Sequence, residues 1–484
     1  MLLYNTQTRR KEPFVPLRDS TVHIYVCGIT AYDYCHIGHA RSAVVFDVLV
    51  RYLRSKGYTV HFIRNFTDID DKIINRANAE HRDWREVGNT YIDAFHEDMD
   101  ALGVLRADTE PRATEYIDNI LALCQRLIDA GHAYATDEGD VYFRVRAFEP
   151  YGSLSQQHLD DMHAGASERV EARHKEDPLD FALWKSAKPG EPSFESPFGL
   201  GRPGWHIECS AMTEQWAPLD IHGGGQDLIF PHHENEKAQT EAALGKPLAR
   251  FWVHNGFVQI NAEKMSKSLG NFKTIRDILA SFLPETLRFF LLGKHYRSPI
   301  DFTDEAMLEA ERGERRIYQA IADVRAALTR SSWTSGHLPK DILDEWQHLT
   351  QGFAEAMEDD LNFAQALGDV FAMVRLVNRV LEHKAFAKCQ DAKALFEAFQ
   401  EQVALWNQVL GLGTMEPATF FALVKERKIK RTHLDCAKVE ALLAQRHNAR
   451  AAKDFATSDH IRNELEAMGV LVKDTPHGQE WDLP

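Results

Sequence analysis

A short apolar run followed by two histidines and a helix-like segment constrains the fold of this chain more than any other feature. The run from Val22 to Gly28 predicts a buried strand, His36-Ile37-Gly38-His39 follows it, and residues Ala40 to Leu53 are typical of a helix. Strand, loop and helix in this order form a phosphate-binding arrangement. Imidazoles at i and i+3 beside a helix N-terminus can donate hydrogen bonds to a phosphate, and Gly38 lets a nucleotide approach the backbone. Two neighbouring histidines alone are more often surface or core residues, so the interpretation needs a second motif.

That second motif is the string Lys264-Met265-Ser266-Lys267-Ser268. Two flexible ammonium groups three positions apart, followed by Gly270, can close over a polyphosphate and neutralise its growing charge. A short Lys/Ser run is usually a solvated turn, but this ordered string should arise by chance with a probability well below about one in a thousand. Together, the two motifs favour chemistry that splits a nucleotide.

The two motifs resemble the paired HIGH and KMSKS signatures of the class I aminoacyl-tRNA synthetases and match both without a departure. Longer strings are similar to the cysteinyl-tRNA synthetase family over nearly the whole chain, namely Asn65 to Lys72, Gly204 to Ser210, His222 to Asp227 and Pro231 to Glu236. The resemblance implies ATP-dependent ligation of L-cysteine to tRNA(Cys) through a cysteinyl-adenylate, with zinc recognising the substrate thiol.

Composition limits the classes of protein to which this chain can belong. With 484 residues, 44% of them hydrophobic, the chain can bury more than one core. Neither a bilayer-spanning apolar run nor a secretory apolar segment is evident, so we expect a cytoplasmic protein without a membrane partner. Six cysteines are too few for a disulfide scaffold. The net charge of −16 argues against general nucleic-acid binding, so RNA contact should be local, with one candidate cluster at Lys425 to Arg431 and Arg446, Arg450 and Lys453 downstream.

The order of segments predicts an α/β protein with a Rossmann-like parallel-sheet catalytic domain, its site at the carboxyl ends of the strands. A Pro/Gly-rich stretch, Lys188 to Gly204, interrupts it. Apolar residues then recur every three or four positions, which predicts an α-helical bundle; they are Ile342, Trp346, Leu349, Phe353 and Met357, then Leu367, Phe371, Val374, Val377 and Leu381.

We therefore predict five parts. Residues 1–110 form the first half of the catalytic domain, 111–201 an insertion, 202–330 the second half with the lysine motif, 331–410 the bundle, and 411–484 a small C-terminal domain. The resemblance implies that the insertion approaches the acceptor end of tRNA and that the last two parts serve the anticodon end.

Four residues could form a metal site. A helix whose first turn contains Pro231 would place His232 and Glu236 on one face, while Cys27 ends the first strand and Cys209 precedes the glycine loop. Two thiols, an imidazole and a carboxylate suit zinc. Spacing alone favours the alternative that the cysteines are core residues and His232 a helix cap. The resemblance favours the ligand set and implies one Zn²⁺ per chain.

Other candidate ligands are weaker. His233 competes with His232, but its i+4 neighbour is Lys237, a poor ligand. We expect the remaining cysteines to be structural; they are Cys35, Cys124, Cys389 and Cys436.

The remaining site assignments follow from the resemblance. His36 and His39 would stabilise the α-phosphate in the transition state, Lys264 and Lys267 would stabilise the departing pyrophosphate, and Mg²⁺ would accompany ATP. We expect a monomer. The implied residues are catalytic His36, His39, Lys264 and Lys267; ATP-binding Gly28, His36, Gly38, His39, Gly224, Asp227 and Lys267; and amino-acid-binding Cys27, Thr67, Trp205 and His222.

Two other functions are compatible with parts of this pattern. A cysteine ligase of low-molecular-weight thiol biosynthesis would use the same adenylation domain but lack the anticodon-binding end, which this chain has. A non-catalytic, zinc-dependent RNA-binding paralogue would not need intact histidine and lysine motifs. Cysteine-dependent ATP–pyrophosphate exchange separates enzyme from binder, and tRNA charging separates the two enzymes.

Overall fold

The computed structural model describes residues 1–159, 175–260, 263–264, 273–475 and 478–483, with the backbone alone described at 263–264. The predicted first strand and helix are confirmed, as the third strand and first helix of the chain. The first elements are β1 (Leu2–Asn5), β2 (Arg10–Pro13), β3 (Thr21–Thr30), α1 (Ile37–Ser55), β4 (Thr59–Thr67), α2 (Asp71–Glu80) and α3 (Trp84–Ala101).

A separate antiparallel sheet occupies the predicted insertion, and its last strand extends past the predicted limit at residue 201. Its strands pair in the order β5-β6-β7-β8, and its core includes Leu127, Phe143 and Trp184. The elements are α4 (Ile117–Asp129), β5 (Ala133–Ala135), β6 (Val141–Phe143), β7 (Phe181–Ser186) and β8 (Gly201–Pro203). The boundaries 111–201 stay a prediction, as do the other domain limits.

The chain then returns to the first sheet. The returning elements are α5 (Trp205–Thr213), β9 (Leu219–Gly225), α6 (Glu234–Leu244), β10 (Ala249–Asn255), β11 (Val258–Ile260), β12 (Glu263–Lys264), α7 (Ile275–Leu279), α8 (Pro284–Leu292) and β13 (Ile300–Phe302). The short strands β11, β12 and β13 form a small sheet beside the main one.

The main sheet has four parallel strands in the order β10-β9-β3-β4. The β3–β9 pairing, with Ile24 opposite Ile221, joins the segments on either side of the insertion. Strand β4 lies on one side of this pair and β10 on the other, so the strand order reverses direction here. At such a point a crevice forms beyond the carboxyl ends of the strands. The predicted parallel-sheet α/β fold is confirmed.

Helix α1 packs closely on this sheet because a glycine faces it. A Cβ added to Gly223 on β9 would lie 2.3 Å from a ring carbon of Phe46. Phe46 is fully buried, so a larger residue at 223 would push α1 off the sheet.

The predicted helical bundle is also present. Its helices are α9 (Asp304–Leu328), α10 (Lys340–Glu358), α11 (Phe363–Glu382) and α12 (Gln390–Leu410). The predicted apolar stripes lie on α10 and α11, where Leu349, Phe353, Val374 and Val377 are buried. The stripes are therefore core, as their spacing indicates.

A small unit follows the bundle and has its own core, which includes Val439, Ile461 and Leu465. It comprises α14 (Cys436–Ala451), α15 (Phe455–Ala467) and the antiparallel strands β14 (Leu471–Thr475) and β15 (Gly478–Asp482). The preceding helix, α13 (Pro417–Thr432), packs with its buried Phe420 and Val424 in the main core.

The linker before α13 is held by a buried carboxylate on α8. Glu285 accepts the backbone N–H groups of Gly413 at 2.6 Å and Thr414 at 3.2 Å. The Tyr318 hydroxyl donates to Glu285 and accepts the N–H of Met415. Removing this linker would therefore take away the backbone donors of Gly413 and Thr414 and leave the buried Glu285 with the Tyr318 hydroxyl, which is costly.

Several side chains of the basic cluster proposed for RNA contact form ion pairs with other residues of the chain. Lys428 is buried with its Nζ 3.3 Å from Glu311, and Arg431 contacts the same carboxylate. Arg446 is paired with Asp474 at 2.8 Å. These side chains hold α13 and the last strands in place, so the cluster is not the free basic surface that its sequence indicates.

Across the described ranges, no helix combines the length and the apolar character needed to cross a bilayer.

Candidate active site and metal centre

The two predicted histidines begin helix α1. His36 is its N-cap, and its Nδ1 accepts the N–H groups of Gly38 at 3.0 Å and His39 at 3.3 Å. The Nδ1 of His39 accepts the His36 N–H at 3.2 Å, and the two rings stack with centroids 3.7 Å apart. The histidines thus satisfy backbone donors that would otherwise be orphaned at the helix start.

This cap fixes the tautomer of both rings. A ring nitrogen that accepts a backbone N–H carries no proton, so each neutral imidazole carries its proton on Nε2. His36, Gly38 and His39 line a cleft of about 400 Å³ at the carboxyl ends of β3 and β9. The arrangement therefore offers ring donors at a helix N-terminus, which suits an anion.

An irregular part of β3 lines the cleft. Its register with β4 shifts between Val26 and Ile29, where the Gly28 N–H donates to Asn65 Oδ1 at 2.8 Å. A Cβ at Gly28 would lie 1.7 Å from the Asn65 carbonyl oxygen, so only glycine fits. The shift brings Cys27 and Gly28 to the cleft wall.

The four predicted metal ligands meet at one point. Cys27, Cys209, His232 and Glu236 offer ligand atoms that all lie within 4.8 Å of one another. Glu236 Oε1 lies 3.3 Å from Cys27 Sγ and 2.9 Å from His232 Nε2, as the predicted i, i+4 spacing requires. His232 Nε2 is 3.6 Å from Cys209 Sγ. Of the four, Cys27 also lines the cleft.

A second, overlapping set shares two of these residues. Cys27 and Glu236 also group with His222 and His233 within the same limit. His222 Nε2 contacts Glu236 Oε2 at 2.8 Å, whereas His233 Nε2 lies 4.0 Å from Glu236 Oε1 and its Nδ1 contacts His254. The structure thus contains a possible metal site centred on Glu236. The set with two sulfur atoms has the donor chemistry that zinc prefers.

Electrostatics favour a cation at this point. The hydrogen bond from Cys27 lowers the pKa of the Cys209 thiol to about 6, although burial opposes it. Burial also acts to raise the pKa of Glu236, but His222 and His232 hold it well below its ordinary value. Burial acts to lower the pKa of His232, yet Glu236 raises it to about 10. Burial raises the pKa of the Cys27 thiol well above its ordinary value. A metal would therefore meet the Cys209 thiolate and the Glu236 carboxylate and displace protons from His232 and Cys27.

The predicted amino-acid residues border this centre. Trp205 lines the cleft and stacks on His232, with ring centroids 4.1 Å apart. Thr67 is buried at the end of β4 and donates to Glu208. His222 is fully buried behind Glu236 rather than on the cleft wall.

Of the two residues predicted in and after the glycine loop, Asp227 lines the cleft, as does Gly225. Gly224 packs instead against His233 and Leu228, where an added Cβ would come within 2.9 Å of both. The ATP-binding role of Gly224 stays a prediction.

Part of the lysine motif cannot be placed. Residues 265–272, with Lys267, lie outside the described residues, and of Lys264 only the backbone, in β12, is described. Cys35, Cys124 and Cys389 are buried free thiols and Cys436 is half-buried. Among the described residues, none of these four belongs to a metal-ligand group.

Two buried polar contacts beside the centre were not predicted. His206 Nδ1 lies 2.8 Å from His232 Nδ1, and Glu208 accepts from Thr67 at 2.8 Å. Both come from α5, where every residue from His206 to Thr213 is buried. Polar residues on several faces of a short, buried helix indicate that these side chains have hydrogen-bond partners inside the protein. The spacing of His206, Glu208 and Ser210 shows this signal in the sequence.

A larger groove of about 990 Å³ lies elsewhere, between α8, α9 and α11, where Phe289, Arg312 and Phe371 line it. It contains none of the candidate site residues, so size alone does not identify the site.

Three family models match the chain. The model for the tRNA synthetases class I (C) catalytic domain matches residues 13–312, the DALR domain 352–414, and the cysteinyl-tRNA ligase anticodon binding domain 436–481.

Full-length relatives and a solved structure agree with these matches. The chain is 63% identical over 484 residues to the cysteine–tRNA ligase of Desulfovibrio desulfuricans and 56% identical over 485 residues to that of Lawsonia intracellularis, covering all of each. Methionyl-tRNA synthetase of Mycobacterium tuberculosis with methionyl-adenylate aligns with a TM-score of 0.63 at 17% identity, covering 81% of this chain and 92% of that one. This last likeness concerns the fold alone.

Proposed function

The chain belongs to the cysteine–tRNA ligase family of class I aminoacyl-tRNA synthetases, and from this premise we propose how its residues share the reaction. The reaction is the ATP-dependent charging of tRNA(Cys) with cysteine. The observation that connects it to this structure is the meeting of Cys27, Cys209, His232 and Glu236 beside the cleft that contains His36 and His39.

On the nucleotide side, the cysteine carboxylate attacks the α-phosphorus of ATP and pyrophosphate leaves. His36 and His39 donate from Nε2–H to the phosphate oxygens, where charge develops in the transition state. Gly28 and Gly38 let the nucleotide approach the backbone, and Gly224 lies behind it. Asp227 accepts from the ribose hydroxyls.

Such a step depends on positioning and charge stabilisation and needs no enzyme nucleophile. Lys264 and Lys267 neutralise the departing pyrophosphate, and Mg²⁺ enters with ATP.

On the amino-acid side, Cys27, Cys209, His232 and Glu236 would hold one Zn²⁺, because their donor set and spacing fit that ion. Bound zinc would supply a Lewis acid that a thiolate ligates far better than a hydroxyl does. Trp205 walls the pocket, His222 orients Glu236, and Thr67 lies beside the amino group of the substrate.

In the second step the cysteinyl group passes to the terminal ribose of tRNA. We assign the insertion to the acceptor end, and the bundle and last domain to the anticodon end. The proposed enzyme acts as a monomer in the cytoplasm, without a membrane partner.

The second candidate function is that of a cysteine ligase of low-molecular-weight thiol biosynthesis, which would use the same adenylation domain. Matches to the DALR and anticodon-binding models over residues 352–414 and 436–481 favour tRNA as the acceptor.

Two assays and one metal determination test the proposal. Purified protein should catalyse cysteine-dependent ATP–pyrophosphate exchange, charge tRNA(Cys), and contain about one zinc per chain when prepared without chelators. Exchange without tRNA charging would favour the thiol-biosynthesis ligase. Full activity with substoichiometric metal would contradict the zinc assignment.

Removing the last domain should separate the two activities. A chain ending at Leu434 keeps the linker that satisfies Glu285 and keeps α13, so adenylation should persist while tRNA charging falls by about tenfold or more through lost anticodon contacts. A chain ending at Leu410 also loses the Gly413 and Thr414 groups that donate to Glu285 and should unfold at a lower temperature. Undiminished tRNA charging by the Leu434 chain would remove the C-terminal domain from tRNA recognition.

A further inference from the structure

An arginine at the wall of the cleft lacks a partner for its charge. Arg64, on β4, is 4% exposed and lines the cleft together with His36 and His39. Among the described residues, its buried Nη2 has no hydrogen-bond partner, and no carboxylate forms an ion pair with its guanidinium. The rings of Phe62 and Phe95 lie beside it, with centroids 4.9 and 5.8 Å from its Cζ. A ring face attracts the charge, but it does not replace an oxygen acceptor.

The other buried arginines that the structure describes are all paired. Each of these four donates to a carboxylate or to a backbone carbonyl; they are Arg41, Arg202, Arg288 and Arg446. A buried guanidinium without such an acceptor is costly in free energy, and an anion beside it removes much of this cost. Arg64 therefore has the property expected of a group whose partner is a bound ligand.

The side chain of Arg64 lies close to residues proposed for the nucleotide. A Cβ added to Gly28 would lie 3.3 Å from Arg64 Cγ, so the glycine leaves room for this side chain at the cleft wall. Cys35, which directly precedes His36, is close enough to affect the pKa of Arg64. The guanidinium thus lies near the start of α1, where the helix N-terminus and the ring donors of His36 and His39 already suit an anion.

Arg64 is a cation at neutral pH. Burial lowers its pKa to about 10, while the negative charges of Asp47 and Glu110 act to raise it. Both carboxylates are engaged elsewhere, since Asp47 pairs with Arg288 and Glu110 contacts a histidine. The charge of Arg64 is therefore available to a ligand in the cleft.

We propose that Arg64 binds a phosphate group of the nucleotide in this cleft. The proposal rests on the proposed function, which brings ATP to His36 and His39. A guanidinium presents a planar fork of N–H donors that can bind two phosphate oxygens at once, and such charge-assisted hydrogen bonds are stronger than neutral ones. The triphosphate supplies both the oxygen acceptors and the negative charge that Arg64 lacks.

A purely structural cation, held beside Phe62 and Phe95, is the competing explanation, and stability distinguishes the two. Replacing an unpaired buried charge by an apolar side chain of similar length should leave the unfolding temperature of the nucleotide-free protein unchanged or raise it. This is the result expected for Arg64→Met. Arg202→Met is the matched control, because it removes a buried arginine that is paired with Asp71, and it should lower the unfolding temperature.

The binding test compares ATP with adenosine, which lacks the triphosphate. In the full-length, zinc-loaded protein, Arg64→Met should raise the Kd for ATP by about 10- to 100-fold, because charge-assisted hydrogen bonds to phosphate are lost. The Kd for adenosine and the Kd for cysteine should change little. Arg64→Lys keeps the charge without the fork, so its Kd for ATP should be intermediate. Arg202→Met should leave the ratio of the ATP and adenosine affinities unchanged.

Three results would overturn the proposal. They are an unchanged Kd for ATP in Arg64→Met, an equal loss of ATP and adenosine binding, and a loss confined to cysteine, which would assign the cation to a carboxylate. The unsubstituted protein tests the proposed function separately, through pyrophosphate exchange and tRNA charging. If both activities are present while Arg64→Met keeps the full preference for ATP over adenosine, only the role of Arg64 fails.

Discussion

Replacing Cys209 by serine is expected to raise the Kd for cysteine by about 100-fold while leaving the Kd for ATP almost unchanged. Loss of a group that only supports a metal ligand typically costs about 10- to 100-fold in metal affinity, and in the proposed site the metal also binds the substrate thiol. Cys209 is 1% exposed and lies 3.6 Å from His232 Nε2, so serine would place a harder, less suitable donor at the same position.

The larger consequence concerns rejection of serine as a substrate. Thiol and hydroxyl side chains differ little in size, so an apolar pocket would discriminate by only about a hundredfold, whereas a site that leaves a key group unsatisfied reaches about 10⁴ or more. Pyrophosphate exchange with cysteine and with serine measures this ratio, and Cys209→Ser should collapse it.

Cys124→Ser is the matched control for that substitution, because Cys124 is equally buried but lies in the core of the insertion. Undiminished rejection of serine by Cys209→Ser, or by protein stripped of zinc, would contradict metal-based selection.

Replacing His36 by asparagine is expected to slow adenylate formation by about 10²- to 10³-fold without weakening the fold. Removing one preorganised donor to a developing oxyanion typically costs this much. Asparagine is among the best N-cap residues, and its side-chain oxygen can replace Nδ1 in accepting the N–H groups of Gly38 and His39. It cannot place a donor where the histidine has Nε2–H.

His36→Ala separates the two roles, since it removes the cap as well and should cost about 1 kcal/mol of stability. Single-turnover adenylate formation and thermal unfolding, measured on both variants, test the assignment. A wild-type rate in His36→Asn would limit His36 to capping α1.

Much of the fold follows from local sequence patterns. The apolar run at Val22–Gly28 predicts a buried strand, and the spacing of three and four along α10 and α11 predicts a bundle; both elements are present. These features depend on periodicity within one element, which a single sequence displays directly.

The features that sequence does not display depend on contacts between distant segments. The register shift at Gly28 exists because the chain packs against the Asn65 carbonyl, and nothing near residue 28 indicates it. Likewise, Lys428 and Arg431 look like a solvated basic surface until α9 brings Glu311 beside them. The Thr67–Glu208 contact has the same origin in tertiary packing.

The division of the main sheet by the insertion affects the time course of folding. Because β3 pairs with β9, the sheet cannot be completed until the ribosome has synthesised the whole insertion and the strand beyond it. Such distant pairings are slow to form and leave strand edges exposed meanwhile. Cys27 emerges early in translation, but Cys209, His232 and Glu236 follow the insertion. These four candidate ligands therefore come together only after the second half of the sheet has been made, so capture of a metal there would be a late event in the maturation of the nascent chain.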